Sequence, residues 1–398
     1  MRALVDVLGD PQTSYPVIHV TGTNGKGSTA RLTSALLAES GLTVGTYTSP
    51  HLQRINERIA RNGEPIADDE LAAVLADLEL LAPLSRVEPS FFELLTAAAL
   101  RWFADVAVDV AVVEVGLLGR YDATNVCDGQ VAVVTNIGHD HTDFVGDWRQ
   151  RIAEEKAGII KPDSTLVLGE TDPELQTIFE RAGAARNWFR DFDFGCEQNL
   201  TAVGGRLLDL RTPAARYEEV FLSLHGEHQG DNAAIALAAV EAFFDAPLDE
   251  EVVAAAFGSA TSPGRFEVVR TNPLVVLDGA HNTEGAASAI STLDDDFTVT
   301  GERIIVVGAI APRDPEQLLD ALEVDRAALV VACTAPSPRA VPAEEVAAAA
   351  EALGAKVIVE PDVARAVERA LNQAGEEDAV LVTGSLYVVG AARSVLVP

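Results

Sequence analysis

The sequence is short of cysteine and of long apolar runs, and each shortage excludes a class of protein. Three cysteines in 398 residues, Cys127, Cys196 and Cys333, are too widely spaced for a disulfide framework or a zinc site. No uninterrupted apolar run reaches the ~18 residues of a membrane-spanning helix, and the first residues lack the pattern of a signal peptide. We therefore expect a soluble, cytoplasmic protein.

Lysine is the scarcest charged residue. The chain has 4 lysines against 25 arginines, and its 61 acidic residues give a formal net charge of −32. An acidic surface almost free of lysine is typical of adaptation to high salt, where self-repulsion is screened; an ordinary acidic enzyme is the alternative. Nucleic-acid binding requires a basic surface, so we expect neither nucleic acid nor membrane as a partner.

Hydrophobic periodicity predicts an α/β protein of two domains. Short β-branched runs alternate with Ala/Leu-rich helical patterns, which indicates βαβ units on mainly parallel sheets. A P-loop mononucleotide-binding domain, 1–262, is expected to have a mainly parallel sheet with an antiparallel patch appended to it between 187 and 223. After a linker at 263–272, a smaller doubly wound Rossmann-like α/β domain is expected over 273–398.

A glycine-rich loop, TGTNGKGS, separates the first predicted strand, 16–20, from the first predicted helix, 26–40. Glycines let backbone N–H groups turn toward a phosphate, and the helix N-terminus adds positive potential. The spacing differs from GxxxxGK[ST], because Val20 occupies the place of the first glycine. A plain glycine-rich turn is the alternative. The order strand, loop, lysine and helix favours a nucleotide-phosphate site formed by Gly22, Thr23, Asn24, Gly25, Lys26, Gly27 and Ser28.

This loop is the first of eight blocks that, in order, resemble the folylpolyglutamate synthase/dihydrofolate synthase family of the Mur ligase superfamily. The others are TSPHL with RINERI (48–52, 54–59), EVGLLGRYDATN (114–125), DHTD (140–143), EKAGI (155–159), PGRFE (263–267), LDGAHN (277–282) and TGSLY (383–387). The resemblance implies an ATP-dependent ligase that forms an amide between a pterin or folate carboxylate and L-glutamate through an acyl phosphate. The implied acceptor is dihydropteroate or a reduced folate.

Glu114 ends a predicted buried strand, 109–115, which carries a carboxylate to the edge of the sheet beside the phosphate loop. A hard oxygen ligand suits Mg²⁺, although an ion pair with an arginine is the alternative. The resemblance implies that Ser49 and Glu114 hold one Mg²⁺ and that His141 is a ligand of a second. Because imidazole is a poor partner for Mg²⁺, Mn²⁺ is a possible substitute.

Lys156 lies in a predicted helix, 147–158, where the pattern alone favours a solvated face with a Glu–Lys pair. The resemblance instead implies a lysine carbamylated by CO₂ that serves the second metal. This reaction requires a deprotonated amine, so we expect a partly buried lysine with a lowered pKa. Lys26 and Lys156 are two of only four lysines in the chain, at positions where arginine could do neither job.

The resemblance assigns four further residues to nucleotide or phosphate binding. Asn232 is implied to bind adenine, Arg265 to reach phosphate across the domain junction, and Asp278 and His281 to meet nucleotide or the reacting phosphate. Read by pattern alone, Asn232 is a capping residue, Arg265 a linker ion pair, and the last two belong to the start of a helix.

The sequence departs from the family pattern at three places. Leu118 replaces a glycine, Arg313 stands where lysine is usual, and the start resembles a segment normally preceded by a helix and a glycine-containing loop. Either part of the folate-binding surface is missing, or the true start lies upstream. A UDP-muramyl peptide ligase is disfavoured because only 21 residues precede Gly22. A P-loop switch NTPase lacks its guanine motif here, and a monomer is the default expectation.

Overall fold

The computed structural model describes residues 1–138 and 146–397. Its helices are α1 (Arg2–Val7), α2 (Lys26–Glu39), α3 (Asp68–Leu81), α4 (Phe91–Asp105), α5 (Trp148–Lys156), α6 (Pro173–Arg181), α7 (His228–Phe244), α8 (Glu250–Gly258), α9 (Thr283–Asp296), α10 (Pro315–Ala321), α11 (Ala343–Ala352), α12 (Val363–Gln373) and α13 (Leu386–Leu396). None of the helices in these ranges is long and apolar enough to cross a membrane.

The strands are β1 (Val17–Thr21), β2 (Val44–Tyr47), β3 (Ile59–Arg61), β4 (Glu64–Pro65), β5 (Val110–Glu114), β6 (Val131–Val134), β7 (Thr165–Leu168), β8 (Arg186–Phe189), β9 (Gly195–Ala202), β10 (Gly205–Arg211), β11 (Arg216–Leu222), β12 (Glu267–Thr271), β13 (Leu274–Leu277), β14 (Arg303–Val307), β15 (Leu329–Ala332), β16 (Val357–Val359) and β17 (Ala379–Thr383). They form sheets of eight, three and six strands. The α/β class with mainly parallel sheets is therefore confirmed.

The eight-stranded sheet has the order β4-β3-β2-β5-β1-β6-β7-β8, and only its β4-β3-β2 edge is antiparallel. The three central strands β5, β1 and β6 are buried over their whole length, as expected for continuous apolar runs covered by helices on both faces. Val20 pairs with Glu114, and Thr21 pairs with Val134. This register brings the carboxyl ends of the three strands to one point of the sheet edge.

The antiparallel patch is present, but it forms a separate three-stranded sheet, β11-β10-β9, rather than an extension of the parallel sheet. Its buried side, which includes Leu208, Tyr217 and Leu222, joins the core that surrounds α2 and α7. A strand with alternating burial needs a second layer to cover its apolar face, and α7 and α8 provide it here. The predicted position beside the parallel strands was wrong; β8 occupies that edge.

The six-stranded sheet, β12-β13-β17-β14-β15-β16, is parallel except for its edge strand β12. Helices α9, α10 and α11 cover one face, and α12 and α13 cover the other. Residues 267–271, inside the predicted linker, form β12 and pair with β13. We refer below to residues 1–262 as the N-terminal unit and to residues 263–397 as the C-terminal unit.

Helix α4 illustrates how local chemistry sets the element boundaries. The Ser90 hydroxyl accepts a hydrogen bond from the backbone N–H of Glu93, and the Glu93 carboxylate accepts one from the N–H of Ser90. This reciprocal pair is a capping box, which satisfies two of the N–H groups left open at a helix start. The helix begins at Phe91, directly after the N-cap residue Ser90.

Candidate active site

The phosphate loop joins the carboxyl end of β1 to the N-terminus of α2. Gly22 and Gly25 have φ angles of 149° and 80°, in the region that favours glycine. A Cβ atom on Gly22 would lie 1.7 Å from Thr135 Oγ1, and one on Gly25 would lie 2.4 Å from Asn232 Oδ1. Only glycine fits at these two positions, because neighbouring side chains occupy the space of any larger residue.

Asn136 fixes the phosphate loop from the adjacent strand, a role that sequence reasoning missed. Its Oδ1 accepts hydrogen bonds from the backbone N–H groups of Thr23 (3.2 Å) and Asn24 (2.9 Å), and the Thr135 hydroxyl donates to the Asn24 carbonyl (2.6 Å). Because Asn136 occupies the N–H groups of Thr23 and Asn24, the N–H groups of the first turn of α2 are the ones to which a phosphate can bind. The available signal was its position just after a buried strand next to β1.

Two lysines meet behind the loop. Lys26 Nζ donates to the carbonyl oxygens of Gly22 (2.8 Å) and Thr23 (3.0 Å). Lys156 Nζ donates to the same Gly22 oxygen at 2.8 Å. The Lys156 side chain is 1% exposed, so it does not lie on a solvated helix face, and the expected burial is confirmed.

Glu114 and Ser49 lie together at the edge of the eight-stranded sheet. Glu114 ends β5, is 3% exposed, and its Oε2 accepts a hydrogen bond from the Ser49 N–H at 3.0 Å. Burial raises the pKa of the Glu114 carboxyl, while Lys26, the Ser49 N–H and Arg265 act in the opposite direction. The Glu114 carboxylate, when ionised, is a hard oxygen donor of the kind that binds Mg²⁺ in proteins.

Asn232 connects the start of α2 to α7, and Ser28 connects it to Ser262 at the end of the N-terminal unit. Asn232 Nδ2 donates to Gln229 Oε1 (3.0 Å), and its Oδ1 accepts from the Thr29 hydroxyl (3.4 Å). The Ser28 hydroxyl lies 3.3 Å from the Ser262 hydroxyl. Asn232 therefore lies in the interior of the helix start, facing the phosphate loop, and is not the capping residue of α7, which is Glu227.

The C-terminal unit contributes the loop between β13 and α9. The Asp278 carboxylate accepts hydrogen bonds from the N–H groups of Phe266 and Ala280, both at 2.8 Å. His281 Nδ1 lies 2.8 Å from the Gly279 carbonyl and therefore carries the proton of that bond, and Arg265 donates to the same oxygen at 3.4 Å. These bonds fix the backbone of the β13–α9 loop.

One cavity of about 740 Å³ joins these groups. Twelve of the residues predicted from the sequence line it: Thr23, Asn24, Gly25, Lys26, Gly27, Ser28, Ser49, Glu114, Asn232, Arg265, Asp278 and His281. Lys156 is not on the wall but lies against the back of the loop at Gly22. The predicted second metal ligand, His141, lies outside the described residues. Among the described residues, no group of three or more His, Cys, Asp or Glu side chains is arranged to hold a metal ion.

Phe92 and Leu117 contribute apolar side chains to the cavity wall, and the half-buried carboxylate of Asp122 lies beside Leu117. Asp122 accepts hydrogen bonds from the Leu117 N–H (2.8 Å) and from the Thr124 hydroxyl (2.5 Å). Because that hydroxyl has one hydrogen, the buried His19 must donate to Thr124 through Nε2, at 2.9 Å. Asp122 is thus fixed by a chain of hydrogen bonds that reaches into β1.

The cavity wall has an excess of positive charge, although the chain as a whole is acidic. It has six cationic and five acidic side chains, whereas the full sequence has 29 cationic and 61 acidic residues. The cationic residues missed or given no role by the sequence are Arg58, Arg190, Arg313 and Arg339. A cleft of this kind concentrates anionic ligands.

Two family models match the chain: the Mur ligase middle domain over residues 87–240, and the Mur ligase, glutamate ligase domain over residues 264–386. The fold and the site are those of a Mur ligase. The dihydrofolate synthase/folylpolyglutamate synthase of Mycobacterium tuberculosis is 39% identical over an alignment covering 99% of this chain and 88% of the relative. The chain belongs to the dihydrofolate synthase/folylpolyglutamate synthase family of ATP-dependent ligases.

Solved structures agree with this assignment. The folylpolyglutamate synthase of Mycobacterium tuberculosis complexed with ADP and AMPPCP matches with a TM-score of 0.95 and 40% identity, covering 100% of this chain and 94% of that one. The bifunctional folylpolyglutamate synthase/dihydrofolate synthase of Yersinia pestis complexed with AMPPNP and Mn ion matches with a TM-score of 0.88 and 31% identity, covering 99% and 92%. Both of those structures contain ADP or a non-hydrolysable ATP analogue.

Proposed function

We propose that this protein joins a pterin or folate carboxylate to L-glutamate, using ATP and an acyl phosphate intermediate. It would act as a dihydrofolate synthase, a folylpolyglutamate synthase, or both. The observation that carries the proposal is the single cavity of about 740 Å³ in which the phosphate loop, Ser49, Glu114 and the β13–α9 loop face one another. Family membership supports the reaction class, and the residues that line the cavity support binding of the three substrates there.

The nucleotide is proposed to lie along the phosphate loop. The first turn of α2 and Lys26 would bind the phosphates, Asn232 the adenine, and Arg265, Asp278 and His281 would approach from the C-terminal unit. Glu114 and Ser49, with the Ser28 hydroxyl, offer hard oxygen donors, so these residues fit Mg²⁺ or Mn²⁺. A metal ion held there would neutralise charge on the β- and γ-phosphates. A second ion at His141 remains a prediction.

The reaction needs positioning and charge neutralisation more than covalent participation by the protein. An oxygen of the substrate carboxylate attacks the γ-phosphorus, and the bond to the bridging oxygen breaks, which releases ADP. Lys26 is placed to exchange its bonds to the Gly22 and Thr23 carbonyls for the transferring phosphoryl group. The glutamate amine then attacks the acyl carbon, phosphate leaves, and the amine loses a proton. Exclusion of water from the cleft would protect the acyl phosphate.

We propose that Lys156 is carbamylated: its neutral amine adds to CO₂ and releases a proton. Support comes from its burial and from its position against the Gly22 carbonyl, 2.8 Å away. An unmodified ammonium at this point lies near the Lys26 ammonium, and a carbamate would replace repulsion with attraction. The N–H that remains on Nζ after carbamylation can keep the bond to Gly22.

Two parts of the cavity wall suit the two remaining substrates. The apolar side chains of Phe92 and Leu117, with the Asp122 carboxylate beside Leu117, suit a heteroaromatic ring that carries N–H donors. Arg313 and Arg339 line the wall in the C-terminal unit, and guanidinium groups suit the two carboxylates of L-glutamate. This arrangement would place the acceptor carboxylate between the nucleotide and the incoming amine.

The two units are proposed to act as two domains, 1–262 and 273–398, joined by residues 263–272, in a cytoplasmic monomer adapted to high salt. Separate sheets and separate cores support the division. The scarcity of lysine supports the adaptation. Light scattering across a range of salt concentrations tests the monomer, and activity across that range tests the salt requirement.

The decisive experiment measures ADP release with ATP and L-glutamate plus, in separate reactions, dihydropteroate, a reduced folate and a UDP-muramyl peptide. We expect glutamate-dependent turnover with at least one of the two pterin compounds and none with the muramyl peptide. Lys26→Ala serves as the control for contaminating ATPases. Turnover with the muramyl peptide alone, or none that depends on glutamate, would overturn the folate assignment.

A further inference from the structure

Helix α9 belongs to the C-terminal unit, but residues of the N-terminal unit contact it at both ends. At its N-terminus, Asn282 Nδ2 donates to Asn24 Oδ1 at 3.1 Å, and Asn24 Nδ2 donates to Glu284 Oε2 at 3.5 Å. At its C-terminus, Asp296 forms an ion pair with Arg206 of β10. The first end makes long, partly exposed contacts between amides and a carboxylate, whereas the second end carries a buried pair of opposite charges.

Both carboxylate oxygens of Asp296 accept hydrogen bonds from the N-terminal unit. Its side chain is 0% exposed, and that of Arg206 is 6% exposed. One carboxylate oxygen accepts from Arg206 and from the Thr201 hydroxyl, and the other accepts from the Gly226 N–H at 2.8 Å and lies 3.5 Å from His225 Nδ1. Burial opposes ionisation, but His225, the Gly226 N–H and Arg206 outweigh it and lower the pKa of Asp296.

Hydrogen bonds within the antiparallel sheet fix the Arg206 side chain independently of Asp296. Its guanidinium donates to Asn199 Oδ1 (2.7 Å), to the Asn199 carbonyl (3.2 Å) and to the Thr201 hydroxyl (3.0 Å). The His225 ring packs against Phe297, with ring centroids 4.8 Å apart, and against Phe266 at 6.2 Å. The antiparallel sheet thus holds the Arg206 guanidinium in place, and aromatic rings pack around His225 beside Asp296. Both features keep the ion pair in one geometry.

The pair touches both segments that carry nucleotide-site residues. The Gly226 backbone that Asp296 binds leads directly into α7, which carries Asn232. Helix α9, which Asp296 ends, begins directly after His281 and Asn282. A third contact lies between these points, from the Ser288 hydroxyl of α9 to His228 Nδ1 at 2.9 Å. A change in the angle of α9 at Asp296 would therefore move the β13–α9 loop relative to the phosphate loop.

We propose that Arg206 and Asp296 form a positioning pair that anchors α9 as a fixed pivot and so sets the place of the β13–α9 loop opposite the phosphate loop. Breaking one partner of a buried ion pair leaves an uncompensated charge, so one interunit orientation is favoured. The weaker contacts of Asn24 let the other end adjust to bound nucleotide. The proposal rests on the proposed ligase function, because its kinetic test uses that reaction.

The test compares Asp296→Asn with Asp294→Asn in the full chain. Asp294 lies on the same helix, but its ion pair is with Arg303 of the same unit, at 2.5 Å, so it is a matched control. We expect kcat to fall ~10- to 100-fold in Asp296→Asn, since a misplacement of about 1 Å can cost that much. The affinity for ATP in the absence of acceptor should stay within about 3-fold, because the N-terminal unit supplies the phosphate loop. Asp294→Asn should change kcat less than about 2-fold.

Arg206→Met provides a second test if Asp296→Asn does not fold. Thermal unfolding identifies the folded variants, and the double variant should lose no more kcat than the worse single variant, because both remove one interaction. A folded Asp296→Asn or Arg206→Met protein with wild-type kcat would overturn the proposal, and so would a loss of ATP affinity as large as the loss of kcat.

A failure of the proposed ligase function can be distinguished from a failure of the proposed anchor. If the wild-type protein shows no glutamate-dependent turnover, the proposed function fails, and the anchor is judged by X-ray scattering in solution instead. A larger radius of gyration in Asp296→Asn than in Asp294→Asn supports the anchor. Identical scattering curves of the two variants and the wild type overturn it.

Discussion

The carbonyl oxygen of Gly22 accepts hydrogen bonds from both Lys26 and Lys156, each at 2.8 Å. These are two of the four lysines in the chain, and they reach the same atom from α2 and α5. The carbonyl dipole partly compensates their mutual repulsion, as does Glu114, whose carboxylate interacts with Lys26. The two lysines therefore hold the Gly22 end of the phosphate loop from two different helices.

Lys156 should be indispensable as an amine and not only as a cation. Both Lys156→Ala and Lys156→Arg should reduce glutamate-dependent turnover to background, because arginine keeps the charge but cannot form the carbamate. Lys356→Arg changes an exposed lysine and should leave turnover unchanged. Removing CO₂ from the buffers should lower wild-type activity reversibly. Wild-type turnover in Lys156→Arg would contradict the carbamate role.

Glu114→Gln should weaken metal activation more than nucleotide binding. Loss of a charged ligand should raise the Mg²⁺ concentration for half-maximal activity ~10- to 100-fold, while metal-free ATP binding changes little. Ser49→Ala is the comparison, because the backbone N–H that binds Glu114 survives and only the hydroxyl is lost. Its effect should be smaller, and an equal Mg²⁺ response in wild type and Glu114→Gln would show that the carboxylate does not serve the metal.

Leu118 occupies a backbone conformation that favours glycine, with a φ angle of 58°. A left-handed conformation costs a residue with a Cβ atom about 1 kcal/mol, and Leu118 also packs against the core that contains Ile152 and Ile159. Leu118→Ala should lose the packing and keep the strain. Leu118→Gly should therefore be more stable than Leu118→Ala by about 1 kcal/mol, in reverse of the usual order. Urea unfolding of both variants measures it, and the opposite ranking would contradict the strain.

His19 should make stability depend on pH in the acid range. Burial, and to a lesser extent Lys161, lowers the pKa of the His19 ring from 6.5 to about 3, so the folded protein keeps it neutral while the unfolded chain protonates it. Between about pH 6.5 and pH 3, the free energy of unfolding should therefore fall as the pH falls, by up to about 1.4 kcal/mol per unit from this group.

The measurement for His19 is a difference between proteins, because carboxylates also titrate in this range. His19→Gln, which retains a donor for the Thr124 hydroxyl, should show a shallower slope of unfolding free energy against pH at constant salt. Above about pH 7 the slopes of the two proteins should coincide. Equal slopes below pH 6 would show that the folded protein protonates His19 as readily as the unfolded chain does.

Local patterns were sufficient for the parallel strands and for the chemistry at their ends. The buried runs at 110–114 and 131–134 and the loop after Thr21 each carry their signal within a few residues. Asn136 carries only the signal of its position after a buried strand, and Arg190 and Arg339 carry none, because their importance depends on which loops the sheet brings together. The position of β9, β10 and β11 could not be predicted from local patterns either. An alternating pattern shows that one face of a strand is buried, but it does not show which element covers that face.

The sequence by itself determined the α/β class, the glycine-rich phosphate loop, the carboxylate of Glu114 at the end of a buried strand and twelve of the residues that line the cavity. These follow from periodicity, from glycines between a predicted strand and a predicted helix, and from blocks shared with a family. Only the tertiary structure decided that Lys26 and Lys156 share one oxygen, that a separate sheet supports α7, and that Asp296 joins the two units. Such relationships depend on contacts between residues far apart in the chain, and the register of the strands and the packing of the helices fix them.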